Sequence, residues 1–402
     1  MKITFVLPGV GISGGVRVVF EYANRLIERG HEVYIVYPTV PPIITSRSKI
    51  KLIGNKVLGS LGNLKRGNKV EWFNAKAKLI RVPTINPKFV NLVKNLVPDS
   101  YVIIATSWET AYFVNALPKE KGEKFYFVQH YEIWDVWNNL ECWKKVREIE
   151  KDTSKLPIAM SYIVPDDPYL KKLKELVDAT YTMPLKKITI SSWLEELLEK
   201  RFGQKVYGMI INGVNFDIFH CDSEKNWDAE KRIILMPYRG IPWKGDLDGL
   251  KALEEVYRKY KDKVEIWLYG PRKPSNLPSW VRFFERPSDE ELRQLYCKAH
   301  IFIGPSWVEG FYLPPMEAMA CKCAVVTTNV GGIPDYAIPN ETAIVVPPQN
   351  PQKLAEGIIY LIENPDKAKK IAESGYKYIR QFTWERATEE FEKALYRGLM
   401  EE

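Results

Sequence analysis

Twice along the chain a short apolar run gives way to a glycine-bearing loop, then to a helix-forming stretch, then to another apolar run. Ile3–Leu7 leads through a turn from Pro8 to Gly15 into a helix over about Val16–Glu28, and a second strand follows at Glu32–Tyr37. Ile233–Met236 leads through Arg239–Gly245 into a helix starting near Asp246, and Val264–Tyr269 is the next strand. A strand joined to the next by a crossover helix specifies parallel pairing, and continuous apolar strands specify a sheet covered on both faces. Two such openings in 402 residues, room for two domains of ordinary size, predict an α/β protein of two doubly wound, Rossmann-like parallel sheets.

Runs at Tyr101–Thr106, Phe125–Gln129, Ile188–Ile190 and Val206–Ile211 extend the first set, and His300–Gly304 and Ala324–Thr328 the second. Ser192-Trp-Leu-Glu195 and Ser288-Asp-Glu-Glu291 have the spacing of capping boxes. Residues 139–185 read as a helical elaboration and residues 350–402 as a helical tail. A hydrophobic content of 46% with 27% charged residues describes a globular chain. No apolar run approaches the length of a membrane span, and Met1–Pro8 is too short for a signal peptide. Five cysteines (Cys142, Cys221, Cys297, Cys321, Cys323) show no framework or zinc spacing, so free thiols and a cytoplasmic location are expected.

Gly9-Val-Gly11-Ile-Ser-Gly14 satisfies the G-x-G-x-x-G dinucleotide pattern, but the second strand ends Tyr34-Ile-Val-Tyr37-Pro38 without the acid that a cofactor ribose needs. A nicotinamide dehydrogenase is therefore disfavoured, and no cofactor is expected. Between Arg47 and Arg81 ten Lys or Arg stand against one acid, Glu71, interleaved with Trp72, Phe73 and aliphatic residues. A solvated basic loop is the plain reading; peripheral contact with the anionic inner face of a membrane is the sharper one. The net charge of +8 comes without an RNA-binding signature, so no nucleic-acid partner is expected.

The richest stretch is Pro305-Ser-Trp-Val-Glu309-Gly310-Phe311-Tyr312-Leu313-Pro-Pro-Met-Glu317-Ala-Met-Ala-Cys321. It follows the apolar run 300–304, and its prolines open a helix, which places Glu309 in a strand-exit loop and Glu317 in a first helical turn. Loop amides beside a helix N-terminus suit an anion, and carboxylates accept hydrogen bonds from sugar hydroxyls. Arg239 and Lys244 sit at another strand exit, where fixed cations would stabilise a departing diphosphate. Those cations would be idle in a glycoside hydrolase, which needs only paired carboxylates. His130 stands just past the end of Phe125–Gln129, on the edge where open α/β sheets bind ligands.

The 305–322 block resembles the signature of the family 4 (group 1) retaining glycosyltransferases, which have the GT-B fold. Asn212-Gly-Val-Asn215, Arg239 with Lys244, and Asn329-Val-Gly331-Gly332 resemble further parts of that family's pattern. Here Tyr131 follows His130 where Asp or Asn is usual, Lys322 and Ala324 replace Gly and Pro, and Tyr312 replaces a small residue. The resemblance implies two domains facing across a cleft: an acceptor-side domain over 1–211 with a returning helix at 381–402, and a nucleotide-sugar domain over 212–380. It implies metal-independent transfer of a sugar from a nucleotide diphosphate sugar to a glycan or lipid-linked acceptor. His130, Glu309, Arg239 and Lys244 would be catalytic. Gly14, Gly15, Arg239, Lys244, Glu309, Gly310, Phe311, Tyr312, Leu313 and Glu317 would bind substrate, with Gly331 and Gly332 letting backbone approach the donor. A non-enzymatic nucleotide- or sugar-binding subunit of the same fold is the alternative.

Overall fold

A computed structural model of the chain describes residues 1–40, 70 and 72–401. They divide into a first unit of residues 1–136, 164–210 and 384–402, and a second of residues 137–163 and 211–383. The sequence reading kept all of 1–211 together. Residues 137–163 instead group with the second unit, where Trp143 packs edge-on against Trp307 at 5.5 Å.

The first unit is built on a seven-stranded sheet of order β3-β2-β1-β4-β5-β6-β7. Its strands are β1 (Lys2–Val6), β2 (Glu32–Pro38), β3 (Lys78–Val82), β4 (Val102–Ala105), β5 (Glu123–Val128), β6 (Lys186–Thr189) and β7 (Val206–Met209). All the pairings are parallel. The central strands are buried on both faces, as their apolar runs require. The second unit carries the six-stranded parallel sheet β10-β9-β8-β11-β12-β13. These are β8 (Arg232–Pro237), β9 (Val264–Gly270), β10 (Val281–Glu285), β11 (Ile301–Gly304), β12 (Ala324–Thr328) and β13 (Ile344–Val346). Ile234, Met236, Ile266, Leu268, Ile303 and Val326 on its strands meet Leu253, Leu354 and Ile358 on flanking helices in one core.

The helix Trp384–Met400 packs on the first sheet. Phe391 stacks on Phe5 and Tyr22, with ring centroids 6.1 and 4.6 Å apart, and Arg25 bonds to Glu385 at 2.9 Å. The predicted box at Ser288–Glu291 forms, with reciprocal bonds of 2.7 and 3.3 Å. Near Ser192 the helix instead has Ser191 as its N-cap, one residue earlier than the spacing suggested. Lys322 adopts the left-handed backbone its position implies, φ 57°, and its ammonium pairs with Glu224.

Most of the basic segment, residues 47–69 with Glu71, lies outside the described residues. Its described aromatics face inward: Trp72 and Phe73 pack on Phe20 at 5.8 and 5.3 Å, and the Trp72 indole donates to the Val10 carbonyl at 3.0 Å. Trp72 and Phe73 are thus lost to the membrane-face reading. Lys76 and Lys78 pair with Glu28 and Glu32 at 2.6 and 2.7 Å. Among the described residues no helix is long and apolar enough to cross a membrane.

One lysine is built into the first sheet. Lys187 on β6 is 0% exposed and donates to the carbonyls of Met183 and Leu185 at 2.7 and 2.6 Å. Burial pushes its pKa down to about 7. An unfolded lysine keeps its proton to about pH 10.4. Between these values the native chain binds fewer protons than the unfolded chain, so stability rises with pH. The burial penalty is fully present below pH 7 and is relieved above it. Relative to Lys187→Met, the wild type is expected to gain up to about 1.4 kcal/mol per pH unit between pH 7 and 9, measured by urea unfolding. Parallel pH profiles for the two proteins would refute the buried charge.

Candidate functional site

In the second sheet the strand order turns outward from β8 and β11, so the loops leaving those two strands diverge over a crevice. Residues 238–245 form one loop and residues 305–312 the other. Asp246, the first residue of the helix Asp246–Tyr260, organises the first loop. Its carboxylate accepts the backbone N–H groups of Arg239, Gly240 and Ile241 at 3.1, 2.6 and 3.2 Å. Burial pushes this carboxyl upward, against the three amides that favour its charged form. Gly245 has φ +69°, and a Cβ there would lie 1.9 Å from the Pro305 carbonyl oxygen, so the two loops touch through a residue that must be glycine. The Trp307 N–H donates to the Trp243 carbonyl at 2.8 Å, and the Trp307 indole donates to Asp248 at 2.7 Å.

On this frame Lys244 and Glu309 meet. The ammonium donates to both carboxylate oxygens at 2.7 Å, and the Ser306 hydroxyl adds a third bond to Glu309 at 2.7 Å. Burial pushes the Lys244 pKa down, Glu309 opposes that shift, and the nearby Arg239 adds to it. Arg239 is exposed, with its guanidinium 5.8 Å from the Tyr269 ring. Two cations close enough to repel, one of them outward-facing, make a site whose charge an anion would relieve. Sequence reading assigned Lys244 to phosphate and Glu309 to sugar separately; the structure pairs them.

Glu317 departs from its expected place. The helix Leu313–Ala320 starts at Leu313, so Glu317 is its fifth residue and lies in the second turn. Pro314 and Pro315 occupy the first turn, where backbone N–H groups have no intrahelical partner to lose. The Glu317 carboxylate accepts from the Tyr296 hydroxyl at 3.0 Å, and that hydroxyl lies 2.9 Å from the hydroxyl of Tyr269. Tyr269 thus links the Arg239 and Glu317 ends of the site. Asp246, Tyr269 and Tyr296 carried no motif of their own, and Ser306, although inside the 305–322 block, was given no role. Only the acid directly after Lys244-Gly245, at a helix start, signalled any of them.

Gly310 and Phe311 are buried in the second loop. Tyr312 has φ 89°, and its carbonyl accepts from the Tyr336 hydroxyl at 2.5 Å. Its ring is 6% exposed, and its hydroxyl lies 2.9 Å from where a Gly304 Cβ would stand. The ring therefore fills the interior under the end of β11. Gly331 and Gly332 also have a packing role that the sequence did not reveal. Added Cβ atoms would meet the Phe311 carbonyl at 2.8 Å and the Phe311 ring at 2.5 Å, so these glycines let two loops approach each other.

In the first unit the residues from Pro8 to Ser13 leave β1 at the corresponding switch point, between β1 and β4. Ser13 caps the helix Gly14–Glu28, its hydroxyl accepting from Val16 at 3.2 Å. Cβ atoms on Gly9, Gly11 and Gly14 would meet nothing within 4 Å, and none of the three has a positive φ. Neither strain nor packing among the described residues demands glycine there, which leaves open space above the backbone. Gly15 faces the Gln129 amide, 3.5 Å from an added Cβ, and so adjoins His130. The His130 ring lies 4.5 Å from Trp134 and 6.1 Å from Trp193, and its Nδ1 is 3.0 Å from the Tyr131 carbonyl oxygen. Trp134 is 37% exposed, whereas Trp137 is 0% exposed and belongs to the core. Glu132 accepts the Trp108 N–H at 2.5 Å and the Tyr126 hydroxyl at 3.1 Å, and burial pushes its carboxyl well above the usual range.

Residues 220–378 match the family model described as glycosyl transferases group 1. Among curated proteins, an uncharacterized glycosyltransferase of Methanocaldococcus jannaschii is 26% identical over 207 residues, 50% of this chain and 56% of that protein. O-antigen chain mannosyltransferase B of Escherichia coli is 32% identical over 133 residues, 33% of each chain. The chain thus spans about half or less of the length of these curated relatives. Among solved structures, sucrose-phosphate synthase of Thermosynechococcus elongatus superposes with a TM-score of 0.71 at 18% identity, covering 98% of both chains. HepE of Anabaena in complex with UDP-glucose gives 0.68 at 15% identity, covering 98% of this chain and 99% of that one. The fold is GT-B: two parallel-sheet α/β units.

Proposed function

We propose that the chain is a retaining glycosyltransferase that uses a nucleotide diphosphate sugar. The Lys244–Glu309 pair, held beside Arg239 at the switch point of the second sheet, is the observation that carries this reading. Arg239 and the remaining donor capacity of Lys244 bind the diphosphate, and Glu317 with Tyr296 receives the nucleotide ribose. Glu309, positioned by Lys244 and Ser306, accepts hydrogen bonds from the sugar. His130, Gly14 and Gly15 lie on the ligand-binding edge of the first unit. An acceptor hydroxyl attacks the anomeric carbon on the face from which the diphosphate leaves. The C–O bond to phosphate breaks, the new glycosidic bond forms, and the departing phosphate oxygen takes the acceptor's proton. The donor charge that builds up is met by Arg239 and Lys244.

The match over 220–378 to group 1 transferases supports this assignment, as does the likeness in fold to a protein solved with UDP-glucose. The test is turnover of a panel of nucleotide diphosphate sugars by the purified chain, followed as nucleoside diphosphate release with simple glycan and lipid-linked acceptors. Binding without release or transfer would favour a sugar- or nucleotide-binding subunit.

Activity is expected to survive EDTA, because the two side-chain cations already occupy the role a divalent ion would fill at the leaving group. Loss of activity that manganese or magnesium restores would overturn that. Membrane contact through Arg47–Arg81 is a separate proposal, supported by the excess of cations alone. Each Lys or Arg near an anionic surface contributes about 1 kcal/mol, so salt-sensitive flotation with anionic but not neutral liposomes is expected. Equal recovery with both kinds, or none, leaves a solvated basic loop.

A further inference from the structure

The cysteines were expected as five free thiols, but Cys221 and Cys297 form a disulfide across 76 positions of sequence. The fold brings their Cα atoms to 5.6 Å, within the range that a bridge spans. A third sulfur is at hand. Cys297 lies in the last turn of the helix Asp289–Lys298, and Cys321 directly follows the helix Leu313–Ala320. The sulfurs of Cys221, Cys297 and Cys321 all lie within 4.8 Å of one another. Cys321 is a buried free thiol, and the Cys221 Sγ is 3.4 Å from its carbonyl oxygen.

Lys225 belongs to the same cluster. Its ammonium donates to the carbonyls of Tyr296, Cys297 and Ala299 at 2.7, 2.9 and 2.6 Å. Burial pushes the Cys321 thiol up, and the Lys225 charge opposes that shift. Lys225 also engages the neighbouring Cys323 thiol, so its positive charge stands beside both the Cys323 and the Cys321 sulfurs.

We propose that Cys221, Cys297 and Cys321 are an exchange centre in which the disulfide moves from Cys221–Cys297 to Cys221–Cys321. The Cys321 thiol gives up its proton and its sulfur attacks the Cys221 Sγ, the sulfur beside its own backbone. The Cys221–Cys321 bond forms as the Cys221–Cys297 bond breaks. The electron pair stays on the Cys297 Sγ, which takes up a proton. No net oxidation or reduction occurs, and thiol–disulfide exchange needs only a thiolate with access to a bridged sulfur. Cys297, partly exposed, then becomes the thiol open to external reagents.

The two helices joined or released by this exchange both touch Glu317. Tyr296, next to Cys297, donates to the Glu317 carboxylate at 3.0 Å, and the Cys321 N–H donates to the Glu317 carbonyl at 3.0 Å. Moving the bridge removes a tether from the helix of Tyr296 and adds one at the end of the helix of Glu317. That consequence rests on the ribose-binding reading of Glu317; the exchange itself does not.

Peptide mapping tests the exchange without any nucleotide, so its failure is separate from failure of the proposed function. The wild-type chain is incubated at pH 8, quenched in acid, unfolded, alkylated and digested with trypsin. Cleavage after Lys298 and Lys322 places Cys297, Cys321 and Cys323 in different peptides. Free-thiol label divided between Cys297 and Cys321 is the expected result. Label on Cys321 with none on Cys297 overturns the proposal. In Cys297→Ser treated with oxidised glutathione, a Cys221–Cys321 link is expected, and glutathione retained on Cys221 would count against it. Should that variant fail to fold, the wild-type distribution decides alone.

Discussion

Arg239→Ala is expected to lower turnover of a nucleotide diphosphate sugar by about a hundredfold to a thousandfold, the usual cost of removing one group that stabilises developing negative charge. Its effect on unfolding is expected to stay within about 0.5 kcal/mol, because the side chain is exposed. Lys244→Ala should cost similar turnover but behave differently in stability. The Lys244 and Glu309 side chains are only 20% and 10% exposed, and both carboxylate oxygens bond to the ammonium. Breaking such a pair from one side strands the other charge and costs about 3 kcal/mol. Lys244→Met combined with Glu309→Gln should recover most of that stability without recovering turnover. Steady-state kinetics beside urea unfolding of the four proteins separates the two roles. Wild-type turnover in Arg239→Ala/Lys244→Ala would end the diphosphate assignment.

The second large effect is expected at Asp246, which touches no substrate in this reading. Its carboxylate accepts three backbone N–H groups of the loop that carries Arg239, and it is 4% exposed. Asp246→Ala leaves those donors without an acceptor in a largely closed space, a loss of about 3 kcal/mol or more. Because the loop then has no fixed course, turnover should fall with stability. Asp246→Asn keeps one acceptor oxygen and should recover part of both. A lowered urea midpoint with an unchanged m-value would mark a local loss of stability. Alanine and wild type with equal midpoints would show that the loop holds its shape by other means.

What could be read in the sequence follows from how each element is buried. Strands such as Ile3–Leu7 and Ala324–Thr328 are covered on both faces and so appear as apolar runs broken only by threonine. The edge strands β3 (KLIRV) and β10 (VRFFE) are half-exposed, carry a charge on each face, and gave no such run. Cations and carboxylates at strand exits were legible because the chain order alone puts them on the binding edge. Their pairing was not, since Lys244 and Glu309 are 65 positions apart. Glu317 was placed one turn early because prolines usually mark a helix start, and here the start precedes them at Leu313. Trp134 and Trp137 look alike in sequence; three residues of a short turn send one toward solvent and the other into a core. The cysteine triad was invisible, because no spacing within the chain hints that residues 221, 297 and 321 converge.

The helix Trp384–Met400 has a consequence for the order in which the molecule can be made. Phe391 sits among Phe5, Tyr22 and Phe127, and Glu385 and Glu392 bond to arginines 360 and 363 positions earlier. A chain emerging from the ribosome therefore presents β1 and its helix with an aromatic face uncovered until residues 384–400 are added. The second unit, whose strands all lie between residues 232 and 346, has its contacts in hand well before then. Of the two units, the one whose sheet begins earlier in the chain is the one completed later, and during that interval its open face is where a growing chain would need protection from its neighbours.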